Sequence, residues 1–271
     1  MIILFLILIG IFAGLLAGML GIGGGVIFAP VLYYMFDARG IENPELWAIG
    51  SSLLCTLATS VSASFKQSRQ RTFSARESLK VGVFGIAGIT IGKLYITSDY
   101  FNSDVFLSIF FVILVYTGIQ FLRKALHRAT PPAPGTDRLV NWREAVPIGG
   151  GGGLIAALTG IGGGIVMVPI MNMIYRISFQ KAVSISVGAI MIISLSGVVQ
   201  LAIPAPATAG LSPYTLGYID FGTAFALVVG AIAGAYTGTW AQGKVNLTIL
   251  NGLFAAMLLI AAVRMIYDVV F

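Results

Sequence analysis

Two copies of the pentad Gly-Ile-Gly-Gly-Gly are the residues of this chain whose types most clearly allow binding chemistry. A glycine inside a helix costs about 1 kcal/mol relative to alanine, so a helix is expected to break at each pentad. Glycine also lets the backbone approach a ligand closely, and the free N–H groups that start the next helix favour an anion. The candidate binding glycines are Gly21, Gly23, Gly24, Gly25, Gly160, Gly162, Gly163 and Gly164.

Serine-bearing apolar helices follow both pentads and offer hydroxyl donors to the same anion. The candidates are Ser52, Ser60, Ser62, Ser186, Ser194 and Ser196, with Gln200 at the end of the second helix. A serine in a membrane helix can instead bond its own backbone or a neighbouring helix. Lys66 and Gln67 end the first serine helix where Gln200 ends the second, which suggests a polar path to the cytoplasmic side; Lys66 is more simply a boundary residue.

The pentads belong to an internal repeat, in which residues 14–30 match residues 153–169. In each half a serine helix, a glycine-rich helix and a fourth apolar helix follow. The glycines of the third helices are spaced for close helix packing: Gly85, Gly88 and Gly92, then Gly230, Gly234 and Gly238. The expected organisation is a first transmembrane repeat (1–123), a polar, Pro-rich cytoplasmic linker (124–143) and a second transmembrane repeat (144–271).

The composition requires a membrane. Hydrophobic residues make up 58% of the chain and charged residues 10%, against about 25% charged in soluble domains. The mean hydropathy is +0.96. Apolar runs long enough for helical spans fill the sequence. The chain is therefore expected to be an all-α integral membrane protein, and its net charge of +6 lies in loops, where it indicates topology rather than a nucleic-acid partner.

A broken helix in lipid must be covered by protein or line a cavity, and paired broken helices in two repeats are typical of the binding site of a transporter. Glycines that only allow tight packing are the simpler alternative, but they explain a repeated pentad poorly. A nucleotide-binding loop is excluded, because neither G-x-G-x-x-G nor a terminal G-K-[ST] is present.

Loop charges distinguish two layouts. If each pentad segment is a re-entrant hairpin beside three transmembrane helices, 13 of the 16 Lys and Arg residues share the linker side, which leaves Arg39, Lys93 and Arg264. The positive-inside rule favours this layout over eight full crossings and makes the linker cytoplasmic. Three crossings per half would make the two homologous four-segment repeats inverted, as in many secondary transporters. The long arm before the first pentad keeps full crossing open.

Other reactive residues carry less weight. Asp220 and Glu77 stand near the starts of their segments, which suggests interfacial positions and leaves no carboxylate deep in a span. Cys55 is the sole cysteine and is expected to pack, and His127 falls in the linker. Without a His cluster, an Asp pair or a Cys–His pair at depth, a membrane-embedded enzyme is a distant alternative. A passive anion channel or a permease for another small anion stays open.

The two Gly-Ile-Gly-Gly-Gly-x4-Pro segments, each followed by a serine-rich apolar helix, resemble the sulfite exporter family TauE/SafE over nearly the whole chain. The resemblance implies a plasma-membrane carrier with no cofactor and no ATPase. It implies export of sulfite, sulfoacetate or a related sulfur-containing or organic anion. The expected partners are that anion and the lipid bilayer, with a homo-oligomer possible and no nucleic acid.

Overall fold

The structure is a computed structural model that describes residues 2–126, 136–204, 206, 210–241 and 247–270. Its helices are α1 (Ile2–Leu20), α2 (Gly25–Asp37), α3 (Pro44–Arg69), α4 (Ala75–Ile96), α5 (Ser103–Leu126), α6 (Trp142–Thr159), α7 (Gly164–Pro169), which continues as a π-helix (Ile170–Ile174), α8 (Phe179–Ala202), α9 (Phe221–Ala241) and α10 (Leu247–Val270). Two short antiparallel strands, β1 (Thr215–Leu216) and β2 (Ile219–Asp220), precede α9.

The expectation of an all-α membrane protein is confirmed. Six of the described helices are long and apolar enough to cross a bilayer, namely α1, α3, α4, α5, α8 and α9. The helix after the second pentad is short, with six α-helical residues and then five in the π-helix. His127 and part of the linker lie outside the described residues.

Helices α1 and α2 form a hairpin, called here the first hairpin. Glycines on α1 and α9 interlock so closely that a Cβ on Gly10 would meet Leu227 and one on Gly18 would meet Thr239; the two helices therefore run in the same direction. After α2, Nη1 of Arg39 lies 3.4 Å from Oγ1 of Thr223, at the start of α9. The chain thus returns to the end of the bundle from which α1 began.

The second hairpin consists of α6, α7 and the π-helix. Its α6 packs along α4 in the same direction, because a Cβ on Gly149 would meet Val81 and one on Gly92 would meet Ala157. Arg138 closes this hairpin: its guanidinium binds the Glu144 carboxylate at 2.8 and 2.9 Å and donates to the Tyr175 carbonyl oxygen at 2.9 Å. The hairpin therefore also ends near its beginning.

The central helices α3 and α8 pack against each other and against the hairpins, and α5 packs with α10. We call the end of the bundle that contains Arg69, Ser74 and Arg138 the linker end, and the end that contains Arg39 and Asp220 the distal end. Across the linker end, the Ser74 amide donates to Oγ of Ser184 at 2.9 Å. The predicted boundaries at 123 and 143 fall near the end of α5 and the start of α6, but each hairpin packs on a helix of the other half.

Candidate functional site

Both pentads form sharp turns at which the chain reverses. Six of their glycines have φ between +69° and +86°, the left-handed region that other residues rarely adopt: Gly21, Gly23, Gly24, Gly160, Gly162 and Gly163. The predicted helix breaks at the pentads are therefore present, and α2 and α7 begin at the fifth residue of each pentad. The sequence fixes these turns because only glycine fits their backbone.

The two turns touch each other inside the bundle. A Cβ on Gly25 would collide with the carbonyl oxygen of Gly160, and one on Gly164 would collide with that of Gly21. All ten pentad residues are buried. The glycines thus serve close backbone packing as well as turn formation. The helix break and the tight packing, two alternatives in the sequence, occur at the same residues.

Ser52 and Ser186 tie the turns to the central helices of the opposite halves. Oγ of Ser52 donates to the Gly160 carbonyl oxygen at 3.0 Å, and Oγ of Ser186 donates to the Gly21 carbonyl oxygen at 2.8 Å. Each serine binds the first glycine of the other half's pentad. Both hydroxyls are used to hold the turns and satisfy carbonyl groups that the helix breaks leave open.

The helices that leave the turns present free backbone donors. In α2 the first amides bonded to the backbone are those of Ile27 and Phe28, both to the Gly24 carbonyl oxygen. Val166 and Met167 bind Gly163 in the same way in α7. Among the described residues, the amides of the two last glycines of each pentad have no acceptor. Such N–H groups attract negative charge.

Two hydroxyls beside the turns also lack partners in the described structure. Oγ1 of Thr56 on α3 and Oγ of Ser194 on α8 are fully buried and make no hydrogen bond. Both side chains lie beside the second turn, since a Cβ on Gly162 would lie 2.5 Å from the methyl carbon Cγ2 of Thr56 and 3.6 Å from Oγ of Ser194. A buried hydroxyl without a partner costs about 1–3 kcal/mol, so these two are available to a ligand.

Threonines were missed among the sequence candidates. Oγ1 of Thr59 lies within hydrogen-bond distance of the carbonyl oxygens of Gly23, at 3.0 Å, and of Thr56, at 2.8 Å. Spacing was the available signal, because Ser52, Thr56 and Ser60 recur every four residues and so share one helix face.

A buried polar stripe continues along α3 from Thr56 to the linker end. It contains Ser60, Ser64 and Gln67, which follow Thr56 at helical spacing. Ser60 binds the Leu57 carbonyl oxygen of its own helix at 2.9 Å. Oγ of Ser64 and Oε1 of Gln67 are buried with no partner among the described residues. The stripe offers polar atoms between the turns and the linker end.

The remaining candidates lie away from the turns. Oγ of Ser62 donates to the Ile232 carbonyl oxygen on α9 at 2.8 Å. Gln200 donates to Oγ of Ser196 at 2.9 Å and to Oγ1 of Thr90 at 3.0 Å. The Ser62 hydroxyl thus joins α3 to α9. The Gln200 amide joins α8 to α4 and to the preceding turn of α8.

The expectation that Lys66, Gln67 and Gln200 end one polar path is wrong. Nζ of Lys66 lies 3.4 Å from the Tyr236 hydroxyl, toward the end of α9. Gln200 lies beside Leu201, whose carbonyl oxygen accepts from the Tyr218 amide just before α9 begins. Because α3 and α8 run in opposite directions, matching positions of the two halves fall at opposite ends of the bundle.

Asp220 lies at the start of α9, at the distal end of the bundle, and is buried there. Its carboxylate accepts hydrogen bonds from Oγ1 of Thr223 at 2.7 Å, from the Gly222 amide at 3.0 Å and from the Ser212 hydroxyl. It therefore caps the start of α9. Glu77 is buried too, and its carboxylate pairs with Lys181 at 3.3 Å across the linker end.

A cavity of about 110 Å³ reaches the turns from the side of the linker end. Ile22 and Ile165, at the two turns, form its inner boundary. The linker-end part of α5, the π-helix and the start of α8 supply the rest, including Thr117, Gln120, Asn172 and Phe179. Cys55 takes no part, since it is buried with Sγ 3.9 Å from the Ala224 carbonyl oxygen. No group of three or more metal-binding side chains occurs in the described part of the chain.

The sequence profile of the family described as "Sulfite exporter TauE/SafE" matches residues 6–265. The chain belongs to this family. A probable membrane transporter protein of Methanocaldococcus jannaschii is 26% identical over 89% of this chain and 86% of its own length. Probable membrane transporter proteins of Bacillus subtilis and Haemophilus influenzae are 25% and 24% identical, over 98% and 97% of both chains respectively.

No solved structure matches this one significantly. The family match covers both hairpins, both central helices and the two glycine turns. This TauE/SafE chain is therefore a multi-pass membrane transporter, as its resemblance predicted.

Proposed function

We propose that this TauE/SafE member is a secondary transporter that exports sulfite, or a related sulfur-containing or organic anion, across the plasma membrane. The substrate site is the place where the two glycine turns meet. One observation carries the proposal: free backbone amides of both turns and the unpartnered hydroxyls of Thr56 and Ser194 occur together in the buried centre of the bundle. Donors without acceptors favour an oxyanion that accepts several hydrogen bonds at once.

The direction of the hairpins supports inverted halves. The first hairpin opens at the distal end and the second at the linker end, while their turns meet between α3 and α8. In an inverted repeat, access can alternate when one hairpin moves relative to the other around a fixed central site. The linker end carries most of the basic loop residues and is therefore cytoplasmic in this proposal.

Two features lead from the linker end to the turns, the polar stripe on α3 and the cavity lined by α5 and the second hairpin. Thr56, Ser64 and Gln67 offer buried polar atoms with no partner in the described structure, and the cavity touches both turns. In this proposal the substrate reaches the site from the cytoplasm, through the linker end of the bundle.

Export is energetically possible without ATP. Outward movement of one negative charge across a membrane whose interior is negative by about 100 mV is favoured by about 2.3 kcal/mol. A dianion gains about twice as much. The membrane potential alone can therefore drive an oxyanion outward, and no acidic coupling residue is needed.

The two unpartnered hydroxyls provide the test. Thr56→Val and Ser194→Ala each remove a buried hydroxyl that has no protein partner, so the melting temperature should stay the same or rise. Sulfite efflux from proteoliposomes should fall, with a higher half-saturating concentration, because the anion loses a donor.

The matched control is Thr59→Val, whose hydroxyl binds Gly23 and Thr56. This variant should lose stability, because the Gly23 carbonyl oxygen loses its partner. Unchanged sulfite affinity in stable Thr56→Val and Ser194→Ala proteins would contradict a substrate site where the two turns meet. If the wild type showed no saturable sulfite flux but transported another anion, that anion and not sulfite would be the substrate.

A further inference from the structure

The outer surface of α4 and α6 contains an apolar groove of about 250 Å³. Its lining is almost entirely nonpolar and comes from both helices: Phe84, Gly88, Ile91, Val146, Gly150 and Leu154. Ile91, Val146 and Leu154 are exposed, at 63%, 48% and 38%. The groove therefore faces the surroundings of the bundle, away from the glycine turns.

Glycines give the groove its depth. A Cβ on Gly88 would collide with the Gly150 carbonyl oxygen, so α4 and α6 lie in close contact at this level. A Cβ on Gly150 itself would meet nothing within 4 Å. Two closely packed helices with larger side chains on either side leave a long narrow trough, whose floor is open at Gly150.

The linker end of the groove is basic. On α4, Arg76 and Lys80 precede Phe84 at intervals of four residues and so lie on the groove face. Nζ of Lys80 lies 5.3 Å from the Trp142 ring centroid and 3.3 Å from the Val140 carbonyl oxygen, and Trp142 also contacts Phe84. Arg143 is exposed on the first turn of α6.

These cations have no carboxylate partner within 4 Å in the described structure. The two nearby acids are engaged elsewhere, Glu77 with Lys181 and Glu144 with Arg138. The starts of two parallel helices, α4 and α6, add positive dipole ends at the same place. A tryptophan at this level matches the aromatic belt found at membrane interfaces.

We propose that this groove binds one anionic phospholipid from the leaflet at the linker end. An acyl chain lies in the trough over Gly150, and the phosphate lies between Lys80 and Arg143, with Arg76 one turn beyond. Basic sites between transmembrane helices on the cytoplasmic side recognise acidic head groups by this combination of charge and apolar contact.

Charge argues against a second copy of the chain as the occupant. Pairing two such faces around a two-fold axis along the membrane normal would bring the same cations of both copies together at one level. Like charges at an interface are unfavourable, whereas a phosphodiester neutralises them.

The experiment compares lipid retention by the purified full-length protein. Native mass spectrometry would count dioleoyl phosphatidylglycerol and dioleoyl phosphatidylcholine bound from mixed micelles of equal composition. The wild type should retain one phosphatidylglycerol in preference to phosphatidylcholine. Lys80→Gln and Arg143→Gln should each weaken phosphatidylglycerol binding about fivefold, because each removes one positive charge that attracts the lipid phosphate near the membrane surface.

Gly150→Leu tests the acyl chain separately. A leucine here fills open space, so the protein should fold and keep its melting temperature in lipid-free detergent, while both lipids lose affinity. Arg69→Gln, an exposed charge at the same end but on α3, is the charge control, and Val229→Leu on α9 is the volume control. Both should bind phosphatidylglycerol like the wild type.

Several results would overturn the proposal. Equal phosphatidylglycerol retention by the wild type and a Lys80→Gln, Arg143→Gln double variant would remove the head-group site. A dimer in the wild type that Gly150→Leu converts to a monomer, with lipid retention unchanged, would make this face an interface between copies. Displacement of the bound lipid by an equal concentration of glycerol phosphate would show that contact of the acyl chain with the groove contributes nothing to lipid affinity.

Discussion

Oγ of Ser52 on α3 donates a hydrogen bond to the carbonyl oxygen of Gly160, 108 residues later in the chain, at 3.0 Å. Ser186 repeats this contact to Gly21. Ser52→Ala and Ser186→Ala should each lower the free energy of unfolding by about 1–3 kcal/mol, because a buried carbonyl group loses its donor. Denaturant unfolding in detergent would measure the loss.

Ser60→Ala is the control for these variants. Its hydroxyl binds only its own helix, at the Leu57 carbonyl oxygen, so the loss should be clearly smaller. Equal stability of all three alanine variants would mean that the serines do not hold the turns.

The second prediction concerns glycine at a turn. Gly162→Ala should cost about 1–2 kcal/mol for a side chain at φ +86°, and about 1–3 kcal/mol more because the new Cβ would lie 2.5 Å from Cγ2 of Thr56. Gly40→Ala has φ +66° with nothing within 4 Å, so only the first cost applies. Melting temperatures should fall in the order wild type, Gly40→Ala, Gly162→Ala. A reversed order would contradict the close packing of the turns.

Glycine chemistry made the turns predictable, since the pentads could not continue a helix. The contact between the turns was not predictable, because it depends on how α3 and α8 cross. The roles of the serines diverged for the same reason: Ser52 and Ser186 reach the turns, whereas Ser62 faces α9. Spacing could have placed Thr56 on the face of Ser52 and Ser60, but its lack of a partner is a property of the packed bundle.

Cysteine labelling tests the orientation. Gln70→Cys and Gln180→Cys, both exposed at the linker end, should react with a membrane-impermeant maleimide only from the cytoplasm. Ala38→Cys, exposed at the distal end, should react only from outside. Native Cys55 is buried and should give no background. Reaction of positions 38 and 180 from the same face would exclude the inverted arrangement.

The Arg138 clamp predicts a pH dependence. The hydrogen bonds from the Arg138 guanidinium lower the pKa of Glu144, with burial opposing and the Asn141 amide assisting. A carboxylate whose folded pKa is depressed stabilises the protein above its unfolded pKa, about 4.3, and this contribution is lost as pH falls through the folded value. The melting temperature of the wild type should therefore fall more steeply below about pH 4 than that of Glu144→Gln.

Glu144→Gln should also melt lower than the wild type at pH 7, because the charged hydrogen bonds are lost. Arg138→Gln removes the same pair together with the bond to Tyr175, so its loss at pH 7 should be larger. Parallel pH profiles for the wild type and Glu144→Gln would show that the clamp does not depend on the charge of the carboxylate.

The helix types and the all-α class followed from hydropathy, but the partners of the helices did not. Gly85, Gly88 and Gly92 were correctly assigned to packing, yet their partners are helices of the other half, α6 for all three and also α8 for Gly85. The burial of Asp220 was not predictable, because its position at the start of α9 says nothing about the loop that covers it. Sequence spacing defines faces of single helices, and the pairing of those faces depends on the whole chain.

The interlocking of α1 with α9 has a consequence for biosynthesis. Gly14 must wait for Ala231 and Ala235, about 220 residues later, before its surface is covered. At about 5–20 residues per second, the ribosome needs roughly 10–45 s to supply that partner. During this interval the glycine face of the first hairpin has to be sheltered by lipid or by the insertion machinery. Newly made chains that stall before α9 should therefore be early substrates for membrane quality control.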